Sequence, residues 1–265
     1  DYLEAQVASA IRSPVKQNAV LTRHFNQWVG ARAAWLNMET WNSAADPSLD
    51  IADFSDQPCM VGLDLAVRVD IAARISLFWK DIGGVRHYFA FPHFYLPEDS
   101  LITAKNAKMY AGWAKSGYIH LMDGGEIGLA EVQDDILALP ETQHVNELVY
   151  DPWQSSQIAQ EVRKEGVEAV EYRNTVANLN PPMREMEGAL ASGRFHHPGN
   201  PVFDWMASNV VAKSDAKNNI FPRKEREESK IDGIVALLFA MGRAMHGDEN
   251  SDLDDWLSDP LTMNI

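Results

Sequence analysis

Three aspartates stand beside apolar segments in separate parts of the sequence. Asp64 closes a short apolar run at residues 60–65, Asp151 follows another at 147–150, and Asp232 precedes a third at 233–237. A carboxylate beside a segment that must be buried is costly without a partner, and several such carboxylates repel one another. A divalent cation between them would relieve both costs. The pattern therefore predicts a magnesium or manganese site formed by all three aspartates.

Such a site is suited to cutting phosphodiesters. Carboxylate oxygens are preferred ligands of Mg²⁺, and the short aspartate stem keeps an ion close to the strand that carries it. Two ions about 4 Å apart can clamp the attacking and leaving oxygens of a phosphodiester. Taken singly, each aspartate has a plainer interpretation, because Asp151 precedes Pro152 and Asp232 would serve as a helix N-cap. The order strand-aspartate, strand-aspartate, aspartate-helix favours one joint site with two divalent ions.

Three further residues are candidates for the surroundings of this site. Asp70 would be a fourth ligand or an acid behind the ligands, or simply a residue of the turn before the next strand. Lys230 would neutralise phosphate charge near the metals, or be a solvated charge at a helix start. His197, in the polar loop at residues 196–200, would contact the substrate DNA.

Several other chemistries are excluded by the sequence. A single cysteine, Cys59, rules out an intramolecular disulfide and the usual thiolate zinc sites, and its place before an apolar strand predicts a buried core thiol. The sequence contains no Gly-x-Ser-x-Gly elbow and no phosphate-binding P-loop motif. Its two Gly-Gly pairs are turns rather than a dinucleotide fingerprint.

Charge and hydropathy narrow the choice of partner. The 265 residues carry a formal net charge of −15, which weakens a nucleic-acid interpretation without excluding it. Local basic stretches occur at residues 213–217 and 223–226, whereas residues 248–259 hold six acids and no Lys or Arg. No apolar run approaches the ~18 residues that a membrane span requires.

The elements that must position these residues alternate between strands and helices. Residues 59–65, 71–79 and 87–94 predict three strands of an antiparallel meander, with a tight turn at 81–84. Helices are predicted over 104–115, 126–139, 155–165, 180–192, 203–211 and 231–245. Further strands are predicted over 118–122, 147–150 and 167–170, and a polar, mobile segment over 215–229.

This order predicts an α/β fold with a mixed sheet flanked by helices. Asp64 would lie on the central strand, Asp151 on its neighbour, and Asp232 on a helix packed against one face. Trp28, Trp35 and Trp41 would pack an N-terminal arm onto this body, and the turn-rich segment 46–58 would link the two.

Several motifs together resemble the nuclease domain of the large terminase subunit of tailed bacteriophages. The resemblance extends from about residue 24 to 245 and rests on the following motifs: His24-Phe25-Asn26-Gln27-Trp28, Gly62-Leu63-Asp64-Leu65, Leu148-Val149-Tyr150-Asp151-Pro152, Gly199-Asn200-Pro201-Val202 through Asn209-Val210-Val211, and Lys230-Ile231-Asp232-Gly233-Ile234-Val235-Ala236-Leu237. It implies an RNase H-like fold and a metal-dependent endonuclease that cuts concatemeric viral DNA in the host cytoplasm. Asp64, Asp151 and Asp232 would be its Mg²⁺ or Mn²⁺ ligands.

The resemblance also implies a domain layout and partners. Residues 1–50 would be an arm or linker from a packaging ATPase domain, 51–247 the nuclease domain, and 248–265 an acidic tail. The partners would be double-stranded DNA and, in the full protein, the ATPase domain, a small terminase subunit and a portal. Two alternatives remain open: a nuclease resembling Holliday-junction resolvases, and a module that docks DNA or the portal without significant cleavage.

Overall fold

The computed structural model describes residues 34–65 and 70–246, without the side chain of residue 154. In this part of the chain nine strands occur: β1 Pro58–Asp64, β2 Ala72–Ile82, β3 Val85–Pro97, β4 His120–Met122, β5 His144–Tyr150, β6 Ala169–Glu171, β7 Phe195–His196, β8 Val210–Ser214 and β9 Ile220–Lys224. Six form a mixed sheet in the order β4-β3-β2-β1-β5-β6, with β7 also beside β3. The strands β8 and β9 form a separate antiparallel hairpin.

Helices cover both faces of this sheet. In the described residues they are α1 Met38–Ser43, α2 Ser100–Thr103, α3 Ala107–Lys115, α4 Leu129–Ala138, α5 Pro152–Lys164, α6 Val176–Ala191, α7 Pro201–Asn209 and α8 Asp232–Ala244, with short 3₁₀ turns at Ile51–Phe54 and Leu139–Glu141. None of them has the length and apolar character that crossing a bilayer requires.

The alternation of side chains along the central strands divides the core into two layers. One face packs against α1, α6, α7 and α8, and the other packs against α4 and α5. Helix α8 is buried along almost its whole length, because it lies between the sheet and other helices. Cys59 is fully buried on the α4–α5 face, and burial raises the pKa of its thiol to about 12, so it is the core thiol that was predicted.

The predicted meander is confirmed. Strand β1 pairs antiparallel with β2, and β2 pairs antiparallel with β3. The tight turn between β2 and β3 uses Gly83 and Gly84, both with positive φ, as a two-residue hairpin loop requires. The strand that ends at Asp64 is therefore central, as predicted.

The neighbour of β1 on its other side is β5, and the two run parallel. Their register shifts once: Cys59 lies opposite Val145, but Met60 lies opposite Glu147, so Asn146 is an extra residue in β5. This is a β-bulge, which offsets the two strands by one residue. Beyond the bulge the register continues regularly to Leu63 opposite Tyr150.

Helix α6 begins earlier than the sequence pattern indicated. It was predicted to start at Pro181 and Pro182, which favour the first turn of a helix. Instead Thr175 caps the helix by accepting a hydrogen bond from the Asn178 amide, and both prolines lie inside it. Pro182 cannot donate to the carbonyl of Asn178 four residues earlier. The hydroxyl of Tyr172 donates to that carbonyl instead, at 2.7 Å.

The region after α7 also differs from the prediction. The helix predicted over 203–211 ends at Asn209, and the segment 215–229, predicted to be polar and mobile, contains β9. Buried Val210 and Ile220 anchor the β8–β9 hairpin on the core, and the Ile220 amide donates to the side chain of Asn180 at 2.9 Å. Long-range contacts, rather than local alternation, stabilise these strands.

The N-terminal part of the described chain packs on the same core. Trp35 and Trp41 are buried, which confirms the predicted packing role of these two indoles, and Phe54 is buried in the segment predicted as a linker. Trp28, the motif at residues 24–28 and the acidic tail lie outside the described residues. The domain boundaries at residues 50 and 247 stay predictions.

Candidate active site

The predicted acids meet at one edge of the sheet. Strands β1 and β5 are parallel, so both end at this edge, and the register that pairs Leu63 with Tyr150 brings Asp64 and Asp151 to neighbouring positions. Helix α8 packs against β1 and starts with Asp232. Asp64 and Asp232 are half-buried.

Gly62 allows α8 to lie this close to β1. A Cβ atom at this position would overlap the carbonyl oxygen of Ala236 in α8. The backbone of the helix therefore rests directly on the backbone of the strand, two residues before Asp64. Since Asp232 begins the same helix, Gly62 sets the distance at which this aspartate approaches the strand.

The carboxylate of Asp151 is oriented by backbone donors. As N-cap of α5 it accepts a hydrogen bond from the Trp153 amide at Oδ1, 2.9 Å away. Its Oδ2 accepts from the amide of Asn174, which follows β6, at 2.7 Å. Each oxygen keeps a second lone pair for a further ligand. The N-cap role had been predicted for Asp232 instead, but Asp232 is the first residue of α8 and follows the N-cap Ile231.

Asp70 and Lys230 form an ion pair beside the three aspartates. The Lys230 ammonium lies 2.7 Å from Asp70 Oδ2, and both side chains are largely shielded from solvent. Asp70 Oδ1 accepts from the Ile71 amide, which is the turn contact expected of a residue before a strand. The carbonyl of Lys230 accepts from the buried side chain of Asn209, which fixes the segment before α8.

The carboxylates affect one another through their charge. The pKa of Asp64 lies well above its ordinary value, because burial and then the negative charges of Asp232, Asp151 and Asp70 disfavour ionisation, opposed by Lys224. Burial and then the charge of Asp70 raise the pKa of Asp232 to about 6, opposed by Lys230 and Lys224. Four acids therefore share one electrostatic environment that lacks enough positive charge to balance them.

This donor set suits a hard divalent cation. All four acids offer oxygen ligands, and a cation would remove the repulsion that raises the pKa of Asp64. Within residues 34–65 and 70–246, however, no three His, Cys, Asp or Glu side chains are already arranged to hold a metal ion. Among the four acids, Asp151 is held by backbone amides and Asp70 by the Lys230 ammonium.

His197 does not join the acids. It is fully buried, and its ring lies 4.5 Å from that of Trp41, centroid to centroid. Its Nε2 donates to the carbonyl of Trp41, and its Nδ1 accepts from the Gly199 amide. In this structure His197 packs α1 against the body of the protein. It has no solvent-accessible surface for the predicted contact with DNA.

The sequence analysis missed two residues beside the acids. Lys224, at the end of β9, is close enough to influence both Asp64 and Asp232 electrostatically. Its basic neighbourhood was visible in the sequence, but not the hairpin that carries it to the site. Trp153, two residues after Asp151, is largely exposed, and its place in a helix N-terminal turn gave no signal in the sequence.

Comparison with known proteins decides the family. Residues 1–248 match the family described as terminase large subunit, endonuclease domain. The chain belongs to this family. Its mixed sheet is thus the RNase H-like sheet of terminase nucleases that the sequence predicted.

Relatives of this terminase nuclease domain are longer than the chain itself. It is 33% identical over 264 residues to Protein YmfN of Escherichia coli (strain K12), covering 96% of this chain and 58% of that protein. It is 24% identical over 265 residues to the terminase large subunit of Enterobacteria phage HK97, covering 97% of this chain and 51% of that protein. The crystal structure of the HK97 bacteriophage large terminase has the same fold, with a TM-score of 0.69 and 24% identity over 90% of this chain and 49% of that chain. The chain spans about half the length of these relatives.

Proposed function

We propose that this terminase nuclease domain is a metal-dependent DNA endonuclease that cuts concatemeric phage DNA during genome packaging. The observation that supports this most strongly is the convergence of Asp64, Asp151 and Asp232 at one sheet edge, in a chain of the terminase endonuclease family. Burial and then the charges of its acidic neighbours raise the pKa of Asp64. Carboxylates perturbed in this way are common at functional sites, because such an arrangement costs stability that a purely structural role would not require.

Asp64, Asp151 and Asp232 would hold two divalent ions, Mg²⁺ or Mn²⁺, with Asp70 as a fourth ligand or an acid behind them. When bound, such ions activate water and stabilise the charge that develops on a phosphodiester. The backbone amides of Trp153 and Asn174 hold the Asp151 carboxylate in one orientation. Lys230 likewise holds Asp70, so the protein itself orients two of the four carboxylates.

The β8–β9 hairpin supplies positive charge next to these acids. Five exposed basic residues lie on it or in the loop after it: Lys213, Lys217, Arg223, Lys224 and Arg226. Such side chains contact phosphates without reading base sequence, so the domain would bind double-stranded DNA largely irrespective of sequence.

Substitution of the acids tests this function directly. Asp64→Asn, Asp151→Asn and Asp232→Asn should each reduce cleavage of supercoiled plasmid to background in Mg²⁺ or Mn²⁺, because each removes one anionic oxygen while keeping its size. Asp134→Asn, on an exposed position of α4, is the matched control and should cut at the wild-type rate. Any of the three variants cutting at the wild-type rate would refute its assignment as a ligand.

The same preparation separates the two alternatives. A resolvase-like nuclease would cut a four-way junction far faster than linear duplex, whereas a terminase nuclease would not require branching. A docking module would bind duplex DNA and leave it intact in either metal. Cleavage of unbranched plasmid that depends on all three acids supports the terminase function over both.

The greater length of the relatives suggests a role for this domain within a larger protein. Since they are roughly twice as long as this chain, we propose that the domain works in the host cytoplasm within a packaging machine, joined to an ATPase domain and in contact with a small terminase subunit and a portal. Cleavage by the longer protein in the presence and absence of ATP would test whether such a motor governs the nuclease.

A further inference from the structure

Trp153 is a large apolar residue that is mostly exposed to solvent, two residues after the predicted metal ligand Asp151. Its side chain is 79% exposed, whereas the other tryptophans that the structure describes are buried or half-buried: Trp35, Trp41, Trp79, Trp113 and Trp205. Single exposed apolar residues are common on protein surfaces, so exposure alone indicates nothing. Trp153 differs from such residues because it lies in the first turn of the helix that Asp151 caps.

The backbone of Trp153 is fixed to a predicted metal ligand. Its amide donates to Asp151 Oδ1 at 2.9 Å, and Pro152, with its restricted φ, precedes it in the first turn of α5. The start of the indole side chain is therefore held two residues from Asp151. A DNA strand whose phosphate reaches Asp151 would meet the helix turn that carries this indole.

The second segment that holds the Asp151 carboxylate carries an exposed arginine. Asn174, whose amide donates to Asp151 Oδ2, directly follows Arg173 in the chain. The Arg173 side chain is 72% exposed, and its ion pair with Glu171, at 3.8 Å, is solvent-exposed and therefore weak. The two backbone segments that hold the Asp151 carboxylate therefore carry an exposed tryptophan and an exposed arginine, residue types that proteins use to hold nucleic-acid strands.

Resting on the nuclease function proposed above, we propose that the indole of Trp153 stacks on an unpaired base next to the phosphodiester to be cut. In intact duplex the base faces are covered by their neighbours, and exposing one costs a few kcal/mol. Stacking on an aromatic side chain contributes about as much or less. Trp153 therefore binds a base that is already free, as at a mismatch or a frayed end, and directs cutting toward such places.

Trp153→Ala tests this inference by binding as well as by cleavage. The substrates are two labelled duplexes that differ by a single mismatch, with 2-aminopurine at the mismatched position. In EDTA, the wild type should bind the mismatched duplex more tightly and quench the 2-aminopurine. Trp153→Ala should lose about 5- to 150-fold of that preference and the quenching, while its affinity for the paired duplex changes little.

Two further variants control the experiment. Trp153→Phe keeps an aromatic face and should restore most of the preference. Tyr118→Ala removes another exposed aromatic, close to β4 and four strands away from β5, and should behave as wild type. With Mn²⁺, Trp153→Ala should raise KM for the mismatched duplex more than it lowers kcat.

The outcomes distinguish this inference from the nuclease function. An unchanged ratio of affinities in Trp153→Ala, with 2-aminopurine still quenched, would overturn the stacking role even if the protein cuts DNA normally. Absence of cleavage by the wild type in both metals would overturn the nuclease function, while the measurements in EDTA would still decide the role of Trp153.

Discussion

Asp232 carries its charge at a cost to stability near neutral pH. Its pKa is about 6 in the folded protein, against an ordinary value of 3.8, because of burial and then the charge of Asp70. Between about pH 4 and 6 the folded protein therefore binds a proton that the unfolded chain has released. The contribution of this group to stability falls as pH rises through that window and stays low above it.

We therefore expect Asp232→Asn to stabilise the metal-free protein at pH 7. The gain should be a few kcal/mol at most, because one pKa unit corresponds to about 1.4 kcal/mol. Thermal unfolding in EDTA, followed by circular dichroism, should show the melting temperature of the variant exceeding that of the wild type at pH 7 and converging with it near pH 4. A variant that melts below the wild type at pH 7 would contradict this account.

Added metal should reverse the order of the two melting temperatures, so that the wild type melts above Asp232→Asn. If the proposed site is correct, Mn²⁺ would neutralise the repulsion among Asp64, Asp151 and Asp232, so it should raise the melting temperature of the wild type and have much less effect on Asp232→Asn. The exposed Asp134→Asn variant should follow the wild type with and without metal.

At the level of elements, the contact between β1 and α8 determines where Asp232 lies. Gly62→Ala would force a methyl group into the Ala236 carbonyl, and backbone atoms cannot turn away as a flexible side chain can. We expect the free energy of unfolding to fall by about 1–3 kcal/mol. Because the start of α8 must shift as well, cleavage should fall by more than the loss of folded protein explains.

Gly112→Ala is the matched control for this substitution. Gly112 lies inside α3 on an exposed position, and a Cβ atom there would meet nothing within 4 Å. Alanine should stabilise this helix by roughly 0.5–1 kcal/mol and leave cleavage unchanged. Denaturant unfolding measures both variants, and equal stability of Gly62→Ala and wild type would show that α8 tolerates displacement.

The same elements show what the sequence could predict. The meander and the parallel neighbour of β1 were predictable, because Gly83-Gly84 marks a hairpin and the apolar runs before Asp64 and Asp151 mark buried strands. The early start of α6 was not, because the carbonyl that Pro182 leaves without an amide donor is satisfied by the hydroxyl of Tyr172, which directly follows β6. Nor was the burial of His197, which depends on packing against Trp41.

At the scale of the whole molecule, the proposed function requires binding of a polyanion by a chain with a formal net charge of −15. Because the acidic surface repels DNA, the affinity for DNA would depend on local contacts such as those of the β8–β9 hairpin. Lys224→Ser should therefore weaken duplex binding and lower the slope of log affinity against log salt by about one, the value for one lost phosphate contact.

Lys164→Ser is the comparison for Lys224→Ser. Lys164 ends α5, about 20 Å along the helix from Asp151, and its exposed ion pair with Glu161 contributes little. It changes the net charge equally, so its salt slope should match that of the wild type. Fluorescence anisotropy over a range of salt concentrations measures both, and identical slopes for the two variants would mean that total charge, rather than the hairpin, governs binding.

The extra residue Asn146 in β5 has a consequence for how sequences of this kind can vary. If β5 continued from Val145 in regular register, Asn146 would lie opposite Met60 and Tyr150 opposite Asp64, so Asp151 would lie one position further along, turned toward the opposite side. Deletion of Val149, in the regular stretch beyond the bulge, would leave every acid in the sequence and still separate Asp64 from Asp151 by one position. Length, as well as residue identity, therefore matters between the bulge and Asp151.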